Sequence, residues 1–421
     1  MNESSQRAAR LLSLAILPVF LAACAAEGAE PPAGGETGAR FGVVDLPADR
    51  SIRIGGATVA ELRREGFTKG AAVEVSERGA VWIIAQPGVP DLAVARARNL
   101  LEFFLRPLPG DGYGGQASKR AVADRMVENR ALLMMPTGRH REGREPDLPA
   151  QPLYEHETPI DGSDWYLEND WEHRDAAFEE IFHLVHDTGI GTDFPGALPR
   201  YQEELDREAR AAIADGRWGR AIDEGVADWL RELEEEYSLA QEYIVSVIDT
   251  YYGLWGPFDE EPGGMWGIYC AKTREEQAEL DARGQALLRE FLPETLTGYE
   301  ALIDPSFEGT FSLRFDPTLP YTHKSRYLVE VTLTGGRSSG IVGNDQDNRL
   351  CGNRGDNRLE GGAGTDTVRF TGARSDYSIE GDGDRWIVTD SIPDRDGVDT
   401  LIGIERLEFS DVEVELDELG G

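Results

Sequence analysis

Apolar and polar positions alternate in short bursts along the first third of the chain. "FGVVDL" and "SIRI" read as short strands, and "ATVAELRREGF" reads as a helix. "AAVEVSERGAVWIIAQ" predicts a hairpin turning near Arg78 and Gly79. "DLAVARARNLLEFFL" has helical spacing and opens on Asp91, a good N-cap type. "KRAVADRMVENR" is a further helix, and "ALLMMP" is a buried strand ended by Pro136. A polar stretch rich in Pro and Gly then runs to about Ser163.

The next part is helical. Asp175 to His186 forms a helix closed by Gly189 and Gly191, and Tyr201 to Asp215 forms another. "DEGVADWLRELEEEY", the strongly apolar "AQEYIVSVIDTYYGLW" and the long "REEQAELDARGQALLREFL" follow. After Pro293 the pattern returns to strands, "FSLRF" and "RYLVEVTLTG". From Gly343 the chain reads "GNDQDNRLC", "GNRGDNRLE", "GGAGTDTVR", three nine-residue repeats starting at Gly343, Gly352 and Gly361. Glycine at the first position suits a tight turn. The apolar residue at the eighth (Leu350, Leu359, Val368) suits a narrow core between two sheets of a parallel β-roll.

These repeats resemble the hemolysin-type calcium-binding (RTX) nonapeptide GGxGxDxUx, and "GVDTLIGIERLEFSD" resembles the segment that follows such repeats in secreted bacterial proteins. The resemblance covers Gly335 to the C-terminus and implies calcium held between same-side turns, two repeats apart. Position six, the side-chain ligand of the family, is Asn348, Asn357 and Asp366 here, so two of three are neutral amides. Asp345, Asp347 and Asp356 add carboxylates nearby. Calcium takes about six to eight oxygens, and the strict repeats provide one same-side pair of turns, at Gly343 and Gly361. One complete site is therefore expected. The competing reading is a roll held by Asn ladders that needs no ion.

Composition narrows the function. The formal net charge of −36 and the pI near 4.5 disfavour nucleic acid and anionic lipid as partners. The N-terminus carries Arg7 and Arg10, an apolar run from Leu11 to Ala23, and "LAAC" ending at Cys24. The run is too short to span a bilayer, which needs ~20 residues. The ending resembles the bacterial lipobox, which implies lipidation of Cys24. Residues 1–24 then form a signal, and the Pro/Gly/Ala-rich residues 25–40 a tether. The protein is expected outside the cytoplasm, as an outer-membrane lipoprotein or secreted, with any membrane contact made through the lipid anchor. RTX proteins exported in one step carry no such N-terminal signal, so the export route departs from the family. With Cys24 lipidated, Cys270 and Cys351 remain, and their pairing is open.

The chemistry of the central region centres on "FEEIFHLVHDTGIG". Glu179 and His183 stand at i and i+4 on one helical face, and His186 follows one turn on. Zincin metallopeptidases use HExxH, two histidine ligands with the intervening glutamate as general base. Val81 to Leu254 resembles a zincin in its order of elements, with the first histidine of that motif replaced by Glu179. The resemblance implies Glu180 as base and His183 as ligand. Gluzincins draw a third ligand, a glutamate, from a later helix, and Glu242 lies on the apolar helix that follows. Four readings stand: a metallopeptidase with an altered ligand, acting on peptide or protein with zinc or another divalent ion; the same with His186 as the second histidine; a zincin-like pseudoenzyme without metal; and polar residues that pair with each other and with arginines. His323 is expected at the surface, and Glu224 and Asp228 on a solvated face.

The expected architecture is thus multidomain: a mixed α/β, helix-rich domain over 41–334, a β-roll over 335–369 and a C-terminal β segment over 370–421. The function expected is extracellular calcium binding attached to a metallopeptidase-like domain, with an active peptidase or a surface adhesion or scaffold protein as alternatives.

Overall fold

The computed structural model describes residues 42–418, apart from 141–144, 159, 161–164, 166–174, 193, 221–224, 302, 304–309, 315–317 and 320–321. The signal, Cys24 and the tether lie outside the described residues. Among the described residues, no helix is long and apolar enough to cross a membrane.

The first part is built on a five-stranded sheet. Strands β1 (Val44–Asp45), β2 (Arg53–Ile54) and β3 (Ala57–Thr58) lead into helix α1 (Val59–Arg64). Thr58 caps α1: its hydroxyl accepts from the Glu61 amide, and the Glu61 carboxylate accepts from the Thr58 amide at 2.6 Å. The hairpin β4 (Lys69–Ser76) and β5 (Gly79–Ala85) is followed by α2 (Asp91–Leu105) and α3 (Gln116–Glu128). The chain then returns as β6 (Leu132–Met135), parallel to β5, and as β7 (Gln151–Pro152), parallel to β6. The sheet order is β1-β4-β5-β6-β7, which leaves β7 at an edge. Pro90, not Asp91, is the N-cap of α2; the Asp91 carboxylate instead accepts from Lys69 Nζ at 2.6 Å. Both faces of β6 are covered, because Leu133 and Met135 join the main core while Leu132 and Met134 join a second cluster with Leu62 and Phe67. That double burial is why "LLMM" is continuously apolar.

The helical part follows as α4 (Ala177–Val185), α5 (Pro199–Ala214), α6 (Gly225–Glu236), α7 (Leu239–Tyr251), α8 (Arg274–Leu280) and α9 (Ala282–Arg289). The predicted long last helix is broken at Asp281. This buried residue caps α9 and accepts from the Tyr243 and Tyr269 hydroxyls at 2.7 and 2.8 Å, so its carboxylate is committed inward and the chain bends around it.

The rest of the chain is strands: β8 (Tyr299–Ala301), β9 (Phe311–Ser312), β10 (Glu330–Leu333), β11 (Gly340–Val342), β12 (Arg349–Cys351), β13 (Arg358–Glu360), β14 (Thr367–Arg369), β15 (Tyr377–Asp382), β16 (Arg385–Asp390), β17 (Val398–Ile402), β18 (Arg406–Glu408) and β19 (Glu413–Glu415). They form two six-stranded sheets, ordered β19-β18-β14-β12-β10-β8 and β15-β16-β17-β13-β11-β9. Successive strands from β8 to β14 alternate between the sheets and pair in parallel. Leu350 faces Val368 and Ile341 faces Leu359, an offset of 18 residues that equals two repeats. The hairpin β15–β16 is inserted before the chain rejoins the stacks at β17 and β18. Val331, Leu350, Val368 and Leu407 from one sheet, and Ile341, Leu359 and Leu401 from the other, are fully buried. The stack begins at Tyr299, upstream of the boundary expected at residue 335, because β8, β9 and β10 pair with the repeat strands.

Gly343, Gly352 and Gly361 do not adopt a left-handed backbone. They are required for close approach instead. A Cβ on Gly343 would collide with the Gly361 carbonyl, and one on Gly352 would lie 2.5 Å from Asn357 Oδ1. The left-handed residues of the last repeat are Gly362 and Gly364. The two parts of the chain share one continuous core. Arg96 of α2, paired with Asp175 ahead of α4, stacks over the Tyr299 ring of β8 at 5.2 Å.

Candidate metal centre

All nine residues of α4 are buried. Phe178 and Phe182 meet Phe104 of α2 edge-on, with Phe182 at 5.3 Å. A helix packed on every side carries its polar residues into the interior, and Glu179, Glu180 and His183 go with it at 2%, 6% and 8% exposure. One ligand atom from each lies within 4.8 Å of the others. Glu242 of α7, also buried, brings Oε1 to 3.5 Å from His183 Nε2, while Glu180 Oε2 stands 3.6 Å from Nδ1. Two donors bound tetrahedrally to one ion at ~2.1 Å are separated by about 3.4 Å. The His183–Glu242 spacing matches that edge. Glu242 does not join the tighter Glu179–Glu180–His183 group; it approaches the imidazole from the other ring nitrogen.

Burial by itself would lower the His183 pKa. Glu242 first, then Glu180 and Glu179, outweigh it and hold the imidazole up at about 10. Without another cation, His183 is an imidazolium bracketed by carboxylates. His186 behaves differently. The chain leaves α4 in a π-helical turn, His186–Gly191, of a kind that often marks functional sites. The turn carries the His186 ring to Gln202 of α5, 2.5 Å from Oε1, and against Phe182. Burial lowers its pKa to about 4. His186 stands outside the Glu179–Glu180–His183 group, and Gln202 holds its Nε2. Gly189 in the same turn lies so close to α3 that a Cβ would come 2.7 Å from Val122 Cγ1.

Residues from the polar stretch before α4 complete the surroundings. Gln151 of β7 donates to Glu180 Oε2 at 2.7 Å. Tyr154 follows, with His140 edge-on to its ring and paired with Glu145 at 3.0 Å. Sequence reasoning passed over all of these, because a two-residue edge strand leaves no periodic signal. The parallel return after "ALLMMP" was the available clue. His323, expected at the surface, is 2% exposed and packs edge-on to Tyr299 at 4.6 Å. Its Nδ1 accepts from the Ser325 amide, and burial lowers its pKa to about 3. Asp228 is exposed beside Arg231; Glu224 lies outside the described residues. Cys270 and Cys351 are not joined in a disulfide.

In the strand stacks, position six points inward. Asn348 Oδ1 accepts from the Asn344 amide at 2.9 Å, and Nδ2 donates to Asn344 Oδ1 at 3.0 Å. Asn357 repeats the pattern with Asn353, at 2.9 and 3.1 Å. Each ladder ends on a carboxylate: Asp366 Oδ1 accepts from the Asn348 amide at 2.7 Å, and Asp399 Oδ1 accepts from the Asn357 amide at 2.8 Å. The other oxygen of each, Oδ2, is buried without a hydrogen bond. Burial raises the Asp366 pKa to about 6 and that of Asp399 to about 8. Asp347 and Asp356 spend one oxygen each on the amides of Thr365 and Val398, and Asp345 is exposed beside Gln346. The sequence offered no sign of Asp399, which lies beyond the strict repeats but occupies the column of Asn357.

No protein family, curated protein or solved structure matches the chain.

Proposed function

We propose that the chain is an extracytoplasmic protein in which a zincin-like helical domain holds one divalent cation and an RTX-type β-roll follows it. Cys24 provides the lipid anchor, or the chain is secreted. The observation that carries the metal reading is the convergence of buried Glu179, Glu180 and His183, with Glu242 at 3.5 Å from His183 Nε2. Glu179 and His183 are the ligands that converge, Glu242 adds a carboxylate at His183 Nε2 outside that group, and Glu180, oriented by Gln151, is the base. One imidazole among carboxylates fits zinc, manganese or iron better than copper. Such an ion polarises a bound carbonyl and acidifies a bound water. Glu180 is placed to take that proton, and peptides or proteins are the substrate class. The C-terminal roll binds calcium through Asp366 with backbone carbonyls, the Asn ladders supplying the order that consensus aspartates would otherwise draw from the ion.

A second reading has its own support. His183, with a carboxylate 3.6 Å from Nδ1 and another 3.5 Å from Nε2, is an ion-paired network that needs no metal, as expected of a pseudoenzyme. Metal analysis decides between them. Wild-type protein is expected to hold one transition-metal ion per chain, removed by EDTA, while His183→Ala and Glu242→Gln bind at least about tenfold more weakly. Casein hydrolysis should follow the metal. A wild-type protein that takes up no zinc, manganese or iron at micromolar concentration refutes the metal reading and leaves the closed network.

A further inference from the structure

A cleft of about 410 Å³ opens where the helical part meets the strand stacks. Gly253 and Gly256, just past the end of α7, and Thr273, ahead of α8, form one wall. Arg314, Lys324 and Arg326, from the connection between β9 and β10, form the other. That volume holds a small molecule, since ligand sites run from about 300 to 1,000 Å³. Its charge runs against the rest of the molecule. The chain has 42 Lys and Arg against 78 Asp and Glu. The cleft reverses that balance, with three cationic side chains and one carboxylate, the exposed Asp345. Cations gathered in a concave site focus a positive potential there, on a protein that elsewhere repels anions.

Each cation is held in its own way. Lys324 is 2% exposed, with its ammonium 5.4 Å from the centre of the Trp165 ring. Burial lowers its pKa to about 8, because the charged form has lost water, and an anion in the cleft returns that stabilisation. Arg314 Nε donates to the Gly343 carbonyl at 3.1 Å, which fixes the guanidinium against the first repeat. Its Nη2 lies where Gly362 has no side chain: a Cβ there would come within 3.0 Å of it. Among the described residues, no carboxylate pairs with Arg314. Arg326 pairs with Glu275 of α8 and donates to the Tyr327 hydroxyl at 2.7 Å, so it orients a ligand more than it charges the site.

We propose that this cleft binds a small organic anion, gripped at a terminal phosphate or carboxylate by Arg314 and Lys324 with Arg326 at its flank. A guanidinium offers its N–H groups as a fork and an ammonium offers a point charge, and both suit an oxyanion. The walls come from both parts of the chain, so the bound anion bridges them and raises the thermal midpoint. The site is independent of the metal reading. Glycerol 3-phosphate and succinate are titrated into the full chain by calorimetry, with ionic strength held constant by NaCl and no calcium added. Saturable binding of one molecule per chain is expected for at least one of them; the phosphate alone or the dicarboxylate alone identifies the oxyanion and supports the site. Arg314→Gln and Lys324→Met should each weaken binding roughly tenfold or more, the size of one hydrogen bond to a charged group. Asp345→Asn should strengthen it several-fold by removing a like charge. His183→Ala should bind as the wild type does; a loss there puts the anion on the metal centre and overturns the cleft. No saturable binding of either compound by the wild type also overturns it. So does unchanged affinity in both Lys324→Met and Asp345→Asn, even if Arg314→Gln, which loses the bond to Gly343, does not fold.

Discussion

Replacing Asn348 by alanine tests whether the strand stacks stand on amide ladders or on an ion. The Asn348 side chain is 98% buried and makes two hydrogen bonds of 2.9 and 3.0 Å with Asn344, itself 1% exposed. Truncation removes both, and it leaves the Asn344 amide buried without an acceptor. Each lost bond contributes about 1 kcal/mol, and the orphaned buried donor costs about 1–3 kcal/mol more. The expected destabilisation is therefore about 3–5 kcal/mol, equal with and without calcium. Asn348→Asp is the informative companion. It keeps the acceptor for the Asn344 amide but turns the donor at Nδ2 into an anion facing Asn344 Oδ1, with Asp366 in the next coil. In EDTA it should be destabilised, and calcium should restore it, because the substitution completes a same-side pair of carboxylates. The assay is urea unfolding of the full chain followed by circular dichroism, in EDTA and in millimolar calcium. If Asn348→Ala is neutral, or if its effect vanishes in one of the two buffers, the ladder argument is wrong.

Two further outcomes follow from the same physics. Arg96 and Asp175 form an ion pair that is almost wholly buried, so Asp175→Ala should lower stability by roughly 3–5 kcal/mol by leaving a guanidinium in the core; an unchanged thermal midpoint would contradict that. The folded pKa values of Asp366 and Asp399, about 6 and about 8, lie above that of an unfolded Asp, near 3.9. The stability they contribute is complete below about pH 4 and is lost as pH rises to 8. In EDTA the chain should therefore unfold at a lower temperature at pH 8 than at pH 5, a difference that Asp399→Asn should shrink; unfolding that is no easier at pH 8 would sink the assignment.

Much of the molecule follows from residue pattern alone. The period of nine in "GNDQDNRLC GNRGDNRLE GGAGTDTVR" determines an 18-residue coil with Leu350, Leu359 and Val368 inside, because each apolar residue has one narrow place to go. The i and i+4 spacing determines that Glu179 and His183 share a face, whatever surrounds the helix. Other features needed the fold. Gln151 reaches Glu180 only because β7 pairs in parallel beside β6, and pairing partners are a long-range choice that two residues cannot encode. Asp399 enters the Asn357 column only because a whole hairpin is looped out between them, and spacing in sequence then no longer measures spacing in the stack. Helix periodicity put His186 on the ligand stripe, but a π turn moved it to Gln202. Packing of that turn against α3 and α5 decides where the His186 ring lies, and three residues of spacing cannot show it.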